Sequence, residues 1–373
     1  MATDDLFTPA RLAALQSAAR DAGFDALLFT PGADLRYLTG YNAHPLERLT
    51  CLVVPADGPV TLIVPRLERP AAEASPAPGT GVTIADHADG SDPYPLVAKA
   101  LGAAAQAGGV VGIGNRMWAE HSLPLRAALP MMDQYLAGGV IRELRMRKSA
   151  AEIDALAAAG AAIDSVHQRM GEWLRAGRTE ADVATDIKAA ILESGHATAD
   201  FAIVASGPNG ASPHHETSDR VIAAGEPIVV DIGGTMPTGY CSDSTRTYVI
   251  GEPPKEFLAY YEVLQQAQRA ACDAVKPGMS CEAVDAVARD LITEAGYGEA
   301  FLHRTGHGIG LDGHEEPYIV EGNDLPLEAG MAFSIEPGIY LAGQHGARIE
   351  DIVVCTPHGV RRLNTIATDL VTL

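Results

Sequence analysis

Two ten-residue stretches of this chain repeat one pattern, and each delivers a carboxylate to what reads as a strand. Ala224 to Gly233 runs Ala-Gly-Glu-Pro-Ile-Val-Val-Asp-Ile-Gly, and Ala329 to Gly338 runs Ala-Gly-Met-Ala-Phe-Ser-Ile-Glu-Pro-Gly. The acids are Asp231 and Glu336. A further acid-bearing strand follows each copy, with Asp243 in Gly-Tyr-Cys-Ser-Asp-Ser-Thr-Arg-Thr and Glu350 in Ala-Arg-Ile-Glu-Asp-Ile-Val-Val. His307 stands between the copies in Thr-Gly-His-Gly-Ile-Gly. Four acids and one imidazole form a ligand set for two divalent cations. Hard carboxylate oxygens with one imidazole suit Mn²⁺, Co²⁺, Fe²⁺ or Zn²⁺ better than Cu. Ionised carboxylates on otherwise apolar strands carry a large desolvation cost, which a pair of cations offsets. The chemistry this points to is metal-assisted hydrolysis.

The elements that must position these groups also come in duplicate. Helices expected near 150–176 and 180–194 precede the first acid-bearing hairpin, and helices near 255–275 and 281–295 precede the second. Val284, Val287, Leu291 and Ile292 give the last of these one apolar face at helical spacing. Ser149-Ala150-Ala151-Glu152 is a capping box that opens the first. Upstream, Thr8-Pro9 starts a helix that should stop near Gly23. Strands are expected at Ala26 to Thr30, Leu49 to Val54, Val60 to Val64 and Val110 to Ile113, with a loop or loose helix from Ala71 to Thr80. This alternation reads as an α/β domain. The basic run Arg142, Arg145, Arg147 and Lys148 reads as a charged interdomain segment.

In these motifs and their order the chain resembles the metallopeptidase family of prolidase, aminopeptidase P and methionine aminopeptidase, and most of all the prolidase and aminopeptidase P branch. The resemblance rests on Tyr37-Leu38-Thr39-Gly40, Ser206-Gly207-Pro208-Asn209 through His214, Asp231-x-Gly233, Ser242 to Thr247, His303-x-x-Gly306-His307-Gly308-x-Gly310, His314-Glu315-x-Pro317, Glu336-Pro337-Gly338 and Arg348-Ile349-Glu350-Asp351. It implies a creatinase/prolidase-like α/β domain over residues 1–138 and an α+β pita-bread catalytic domain over 139–373 with duplicated helix-helix-hairpin halves. It further implies that Asp231 chelates one metal, that Asp243 and Glu350 bridge both, and that His307 and Glu336 complete the other. Manganese is the expected ion, with cobalt, iron or zinc as alternatives. A hydroxide held between the metals would attack the scissile carbonyl, and Glu336 would take the proton of the attacking water. His214 and His314 match catalytic positions that are not ligands, while His303 and Arg348 match positions beside the substrate. The expected substrate is a small peptide with proline at its second position, an Xaa-Pro dipeptide in preference to the longer peptides of aminopeptidase P. Family likeness also suggests a homodimer.

Two departures from the family stand out. Asp231 and Asp243 are twelve positions apart where relatives show eleven, and the turn-like Gly234 to Gly239 can absorb the added residue. Tyr318 stands where some prolidases have an arginine. A metal-dependent hydrolase or lyase of a small non-peptide substrate is the alternative function, and a non-catalytic scaffold the second. The net charge of −21 argues against nucleic acid or an anionic membrane surface as partner. No apolar run is long enough for a membrane span. The acidic start, Met1 to Asp5, lacks the apolar core of a secretory signal. Five cysteines without CxxC spacing fit a reduced, cytoplasmic protein.

Overall fold

Short apolar runs divided by turns build the first part of the molecule. A computed structural model describes residues 6–373, so the acidic opening segment lies outside the described residues. Among these residues the chain forms two compact units, one ending at Arg145 and one beginning at Met146. In the first unit a six-stranded sheet has the order Thr83–His87, Thr61–Pro65, Cys51–Pro55, Ala26–Phe29, Gly109–Ile113, Met132–Leu136. Ala26–Phe29 is central and wholly buried, as its unbroken apolar run requires. The expected strand pair around Pro55 to Pro59 is present and antiparallel. The first helix is Pro9–Asp21, although the side chain of Thr8 makes no capping hydrogen bond. The stretch read as a loop or loose helix holds a short helix, Arg69–Ala74, and a 3₁₀ turn, Ala77–Thr80. No helix among the described residues is long and apolar enough to cross a membrane.

The second unit opens on the expected capping box, with Ser149 and Glu152 satisfying each other's backbone N–H groups. Its helix, Ala150–Gln168, ends earlier than the sequence suggests. Val166, Met170, Trp173 and Leu174 keep helical spacing, but a 3₁₀ turn over Met170–Glu172 bends the chain so that Trp173 and Leu174 join the core with Val183 and Ile187. Burial of these side chains outweighs continuation of the helix. The helices Glu180–Glu193, Lys255–Ala274 and Cys281–Glu294 fall where periodicity puts them.

The two acid-bearing hairpins differ. The first is continuous: Pro227–Thr235 pairs with Cys241–Val249, with Asp231 opposite Thr245 and Gly233 opposite Asp243. Opposed residues share a face and alternate residues return to it, so Asp231 and Asp243 lie diagonally on one face. The register is unbroken to Thr235 and Cys241, so the turn is Met236 to Tyr240 and the extra residue does not misdirect Asp243. The second hairpin is interrupted. Ala332–Ile335 pairs with Asp351–Thr356, and Gly338–Leu341 pairs with His345–Arg348. Glu336 and Glu350 occupy the breaks. Pro337 has no N–H to give the ladder, and the backbone N–H groups of the two acids turn elsewhere: Glu336 to Thr305 O at 2.7 Å and Glu350 to Thr245 O at 3.1 Å. The second contact belongs to a bridge between Thr245 and Glu350 that joins the two sheets. Arg246 locks the same junction. Its buried guanidinium donates to Glu350 O at 2.7 Å, Asp351 Oδ1 at 2.6 Å, Ala367 O at 3.0 Å and Ile366 O at 3.1 Å.

Candidate metal centre

All five residues read from the sequence as ligands come together in the second unit. Asp231, Asp243 and Glu350 each offer an oxygen within 4.8 Å of the others, and His307, Glu336 and Glu350 form a second such group. His307 reaches the site because Gly306 and Gly308 let its short strand lie against its neighbours. A Cβ at Gly306 would run into Ser334 O, and one at Gly308 into Glu316 O. The His307 Nδ1 lies 3.1 Å from Gly308 O, a pure acceptor, so Nδ1 carries the proton and Nε2 presents its lone pair 3.2 Å from Glu336 Oε1. Burial is the main reason that the His307 pKa falls to about 4, which keeps the ring neutral and ready to ligate.

The donor set fits a pair of cations. Asp231 Oδ1 and Glu350 Oε1 are buried without any hydrogen-bond partner, a costly state for carboxylate oxygens unless something positive stands between them. Burial, and then repulsion from neighbouring acids, raises the pKa values of Asp243 and Glu350 well above the carboxylate range. Divalent cations reverse both effects. Protein donors fix three further oxygens: Thr245 Oγ1 donates to Glu350 Oε2 at 2.7 Å, Ser334 Oγ to Glu336 Oε1 at 3.0 Å, and Arg348 Nη2 to Asp231 Oδ2 at 2.6 Å. These threonine and serine hydroxyls escaped the sequence reading. Thr245 is two residues from Asp243 on the same strand face, so alternation alone was enough to find it.

A cavity of about 250 Å³ opens on the cluster and is also lined by Phe201, Ile203, Pro213, His214, His303, Arg304 and His314. That is at the small end of ligand pockets, which usually run about 300–1,000 Å³. His314 is exposed and stacks on His307 with ring centroids 3.7 Å apart; with Asp243 and His307 it makes a third group of ligand spacing. Desolvation of the ring where it stacks within the cavity, then the repulsion it would feel from a protonated His307, lowers its pKa to about 4. His303 Nε2 meets Tyr340 Oη at 2.8 Å and its Nδ1 meets Arg304 O at 2.8 Å. Arg348 is deeply buried, and each of its nitrogens donates to a protein oxygen: Nε to Thr245 Oγ1, Nη1 to Tyr340 Oη and Pro213 O, and Nη2 to Asp231.

His214 is carried by the exposed loop after Ser206, and a single carboxylate organises that loop. Six donors converge on Glu180: Ser206 N and Oγ, Asn209 Nδ2, His215 Nε2, and Ser218 N and Oγ, at 2.7–3.2 Å. Burial alone would raise the Glu180 pKa, yet the hydrogen bonds from Ser206, Ser218 and His215 hold it below the ordinary value. Its stabilisation is therefore complete above the unfolded-state pKa and is lost as pH falls through the folded one. Glu180→Ala is expected to cost about 2–4 kcal/mol at neutral pH, the scale for stranding several buried donors. Urea unfolding checks this, and the gap to the parent should narrow as acid titrates the parent's carboxylate.

Residues 154–357 match the model of metallopeptidase family M24, and residues 11–147 match that of the creatinase/prolidase N-terminal domain. The chain is 54% identical to the "Probable dipeptidase PepE" of Mycobacterium tuberculosis over 97% of its own length and 95% of the relative's. It is 37% identical to an Xaa-Pro dipeptidase of Lactobacillus delbrueckii subsp. lactis, covering 95% of this chain and 97% of that one. The crystal structure of dipeptidase PepE from Mycobacterium ulcerans superposes with a TM-score of 0.92 at 55% identity, over 97% of each chain.

Proposed function

We propose that this chain, which belongs to metallopeptidase family M24, hydrolyses the bond before proline in Xaa-Pro dipeptides with the aid of two divalent cations. The observation that carries this reading is the pair of partnerless buried oxygens, Asp231 Oδ1 and Glu350 Oε1, at the foot of a small cavity with an apolar wall of Phe201, Ile203 and Pro213. Such a wall suits a pyrrolidine ring. In this reading Asp231, Asp243, His307, Glu336 and Glu350 would hold the cations. Bound there, divalent cations would lower the pKa of water and polarise the scissile carbonyl.

The protein groups do the rest. Glu336 is only half-buried and, among the described residues, no protein donor reaches its Oε2, so it receives the proton of the attacking water there. His314 stays neutral at pH 7 and donates one ring N–H to the carbonyl oxygen as negative charge develops on it. His214 faces the same cavity and assists the departing proline nitrogen. His303 borders the substrate, and Arg348 orients Asp231 and closes the site behind it. Manganese is the cation we favour, since oxygen donors with one imidazole suit it. A cytoplasmic setting agrees with five cysteines that are all unpaired and buried. A homodimer rests on the family resemblance alone.

The test compares kcat/KM for Ala-Pro, Ala-Pro-amide and Ala-Pro-Ala at equal manganese loading. A dipeptidase should prefer Ala-Pro over both others by about ten-fold or more, the scale of one modest charged contact. Equal or faster turnover of the tripeptide would make the enzyme an aminopeptidase, and no cleavage of any Xaa-Pro bond would turn attention to non-peptide substrates.

A further inference from the structure

Acids dominate the metal-binding end of the cavity, so a cation left without an acid beside them calls for a reason. Arg304 is such a cation. Its half-buried side chain lines the same cavity as Asp231, His307, His314 and Glu336. Among the described residues its guanidinium makes no ion pair and donates no hydrogen bond. It rests instead on the Tyr318 ring, with Cζ 4.5 Å from the ring centroid. The antiparallel pairing sets His307 opposite Tyr318, so both side chains leave the sheet on one face. The other guanidinium in the cavity is committed, because Arg348 is bound through all three nitrogens to protein oxygens.

A guanidinium held over an aromatic ring by cation–π attraction can keep N–H donors free for a ligand and is already partly ordered before binding. Those donors match the two oxygens of a carboxylate. A dipeptide whose scissile carbonyl sits at the cations ends one residue later, and its terminal carboxylate needs a cation that the acidic cluster does not already use. We propose that Arg304, stacked on Tyr318, reads the free carboxylate of the substrate's second residue and thereby restricts the enzyme to dipeptides. This rests on the dipeptidase reading above.

The experiment measures kcat and KM for Ala-Pro and Ala-Pro-amide, together with bound manganese, in the parent and in Arg304→Gln, Arg304→Lys, Tyr318→Phe and Tyr318→Ala. Calorimetric titration with proline and with prolinamide gives a readout that needs no turnover. Arg304→Gln should lose about ten-fold or more on Ala-Pro, chiefly in KM, and about two-fold or less on the amide, so that the preference for the free acid disappears. Its affinity for proline should fall toward that for prolinamide. Lysine keeps the charge without the fork and should fall between. Tyr318→Phe keeps the platform and should behave as the parent, whereas Tyr318→Ala should give up part of the preference. If Arg304→Gln does not fold, Arg304→Lys and Tyr318→Ala carry the same comparison. An Arg304 variant with full metal content that keeps the parental ratio, or weakens equally on both substrates, overturns the assignment. A parent enzyme that does not distinguish the two substrates fails the dipeptidase reading itself, which separates the two failures.

Discussion

Asp243→Asn is expected to bind fewer than two manganese ions per chain and to lose on the order of 10³-fold in kcat/KM. Cation assistance contributes several kcal/mol to the transition state, and about 1.4 kcal/mol is a factor of ten. Asp243 belongs to two of the groups with ligand spacing, one with Asp231 and Glu350 and one with His307 and His314, so the neutral amide weakens both. Elemental analysis after passage through metal-free buffer, followed by manganese titration, gives the count. Thermal melts give a second measure. The parent should gain stability on adding manganese, because the ions bind the native state, and the variant should gain less. Without metal the order should close up or reverse, since the substitution removes one of the like charges crowded around Glu350. A variant that still binds two ions and turns over at the parental rate would dismiss the shared-ligand role.

His314→Ala should leave the manganese count at the parental value while kcat falls by about 10²–10³-fold, the scale for removing one donor to a developing oxyanion. The loss should appear in kcat and kcat/KM together, because the interaction is made in the transition state and not in the ground state. This outcome matters because His314 has ligand spacing with Asp243 and His307 while also stacking on His307. A fall in metal content would make it a ligand. Unchanged kcat with full metal content would remove it from the chemistry.

Much of this was legible in the sequence because strand alternation is a strong constraint. Asp231, Asp243 and Thr245 share a face by simple counting, and the repeated Ala-Gly stretches mark where the second pair of acids must lie. What counting could not give were features decided by distant parts of the chain. The second hairpin breaks at Glu336 and Glu350, whose N–H groups leave the ladder for Thr305 and Thr245. The helix over residues 150–168 stops short because Trp173 and Leu174 gain more by joining the core. Glu180 gathers donors up to 38 positions away, and nothing near it in sequence distinguishes it from any acid in the first turn of a helix. Arg304 was visible as a residue type, but only the pairing of His307 with Tyr318 gives it a platform.

The junction made by Thr245, Glu350 and Arg246 bears on how the protein matures. Ligands for the cations come from both halves of the catalytic unit, two acids from the first hairpin and two from the second, with His307 between them in sequence. Neither half alone presents the full set. A complete cradle therefore exists only after the two sheets have closed on each other through Thr245 and Glu350, with Arg246 gripping the backbone of Glu350 from behind. Ions that arrive after this closure cannot help the chain through its folding barrier; they act by holding the finished structure shut. Manganese should accordingly slow unfolding far more than it speeds refolding, and metal supply would then govern how long the folded enzyme survives proteolysis more than how quickly it is made.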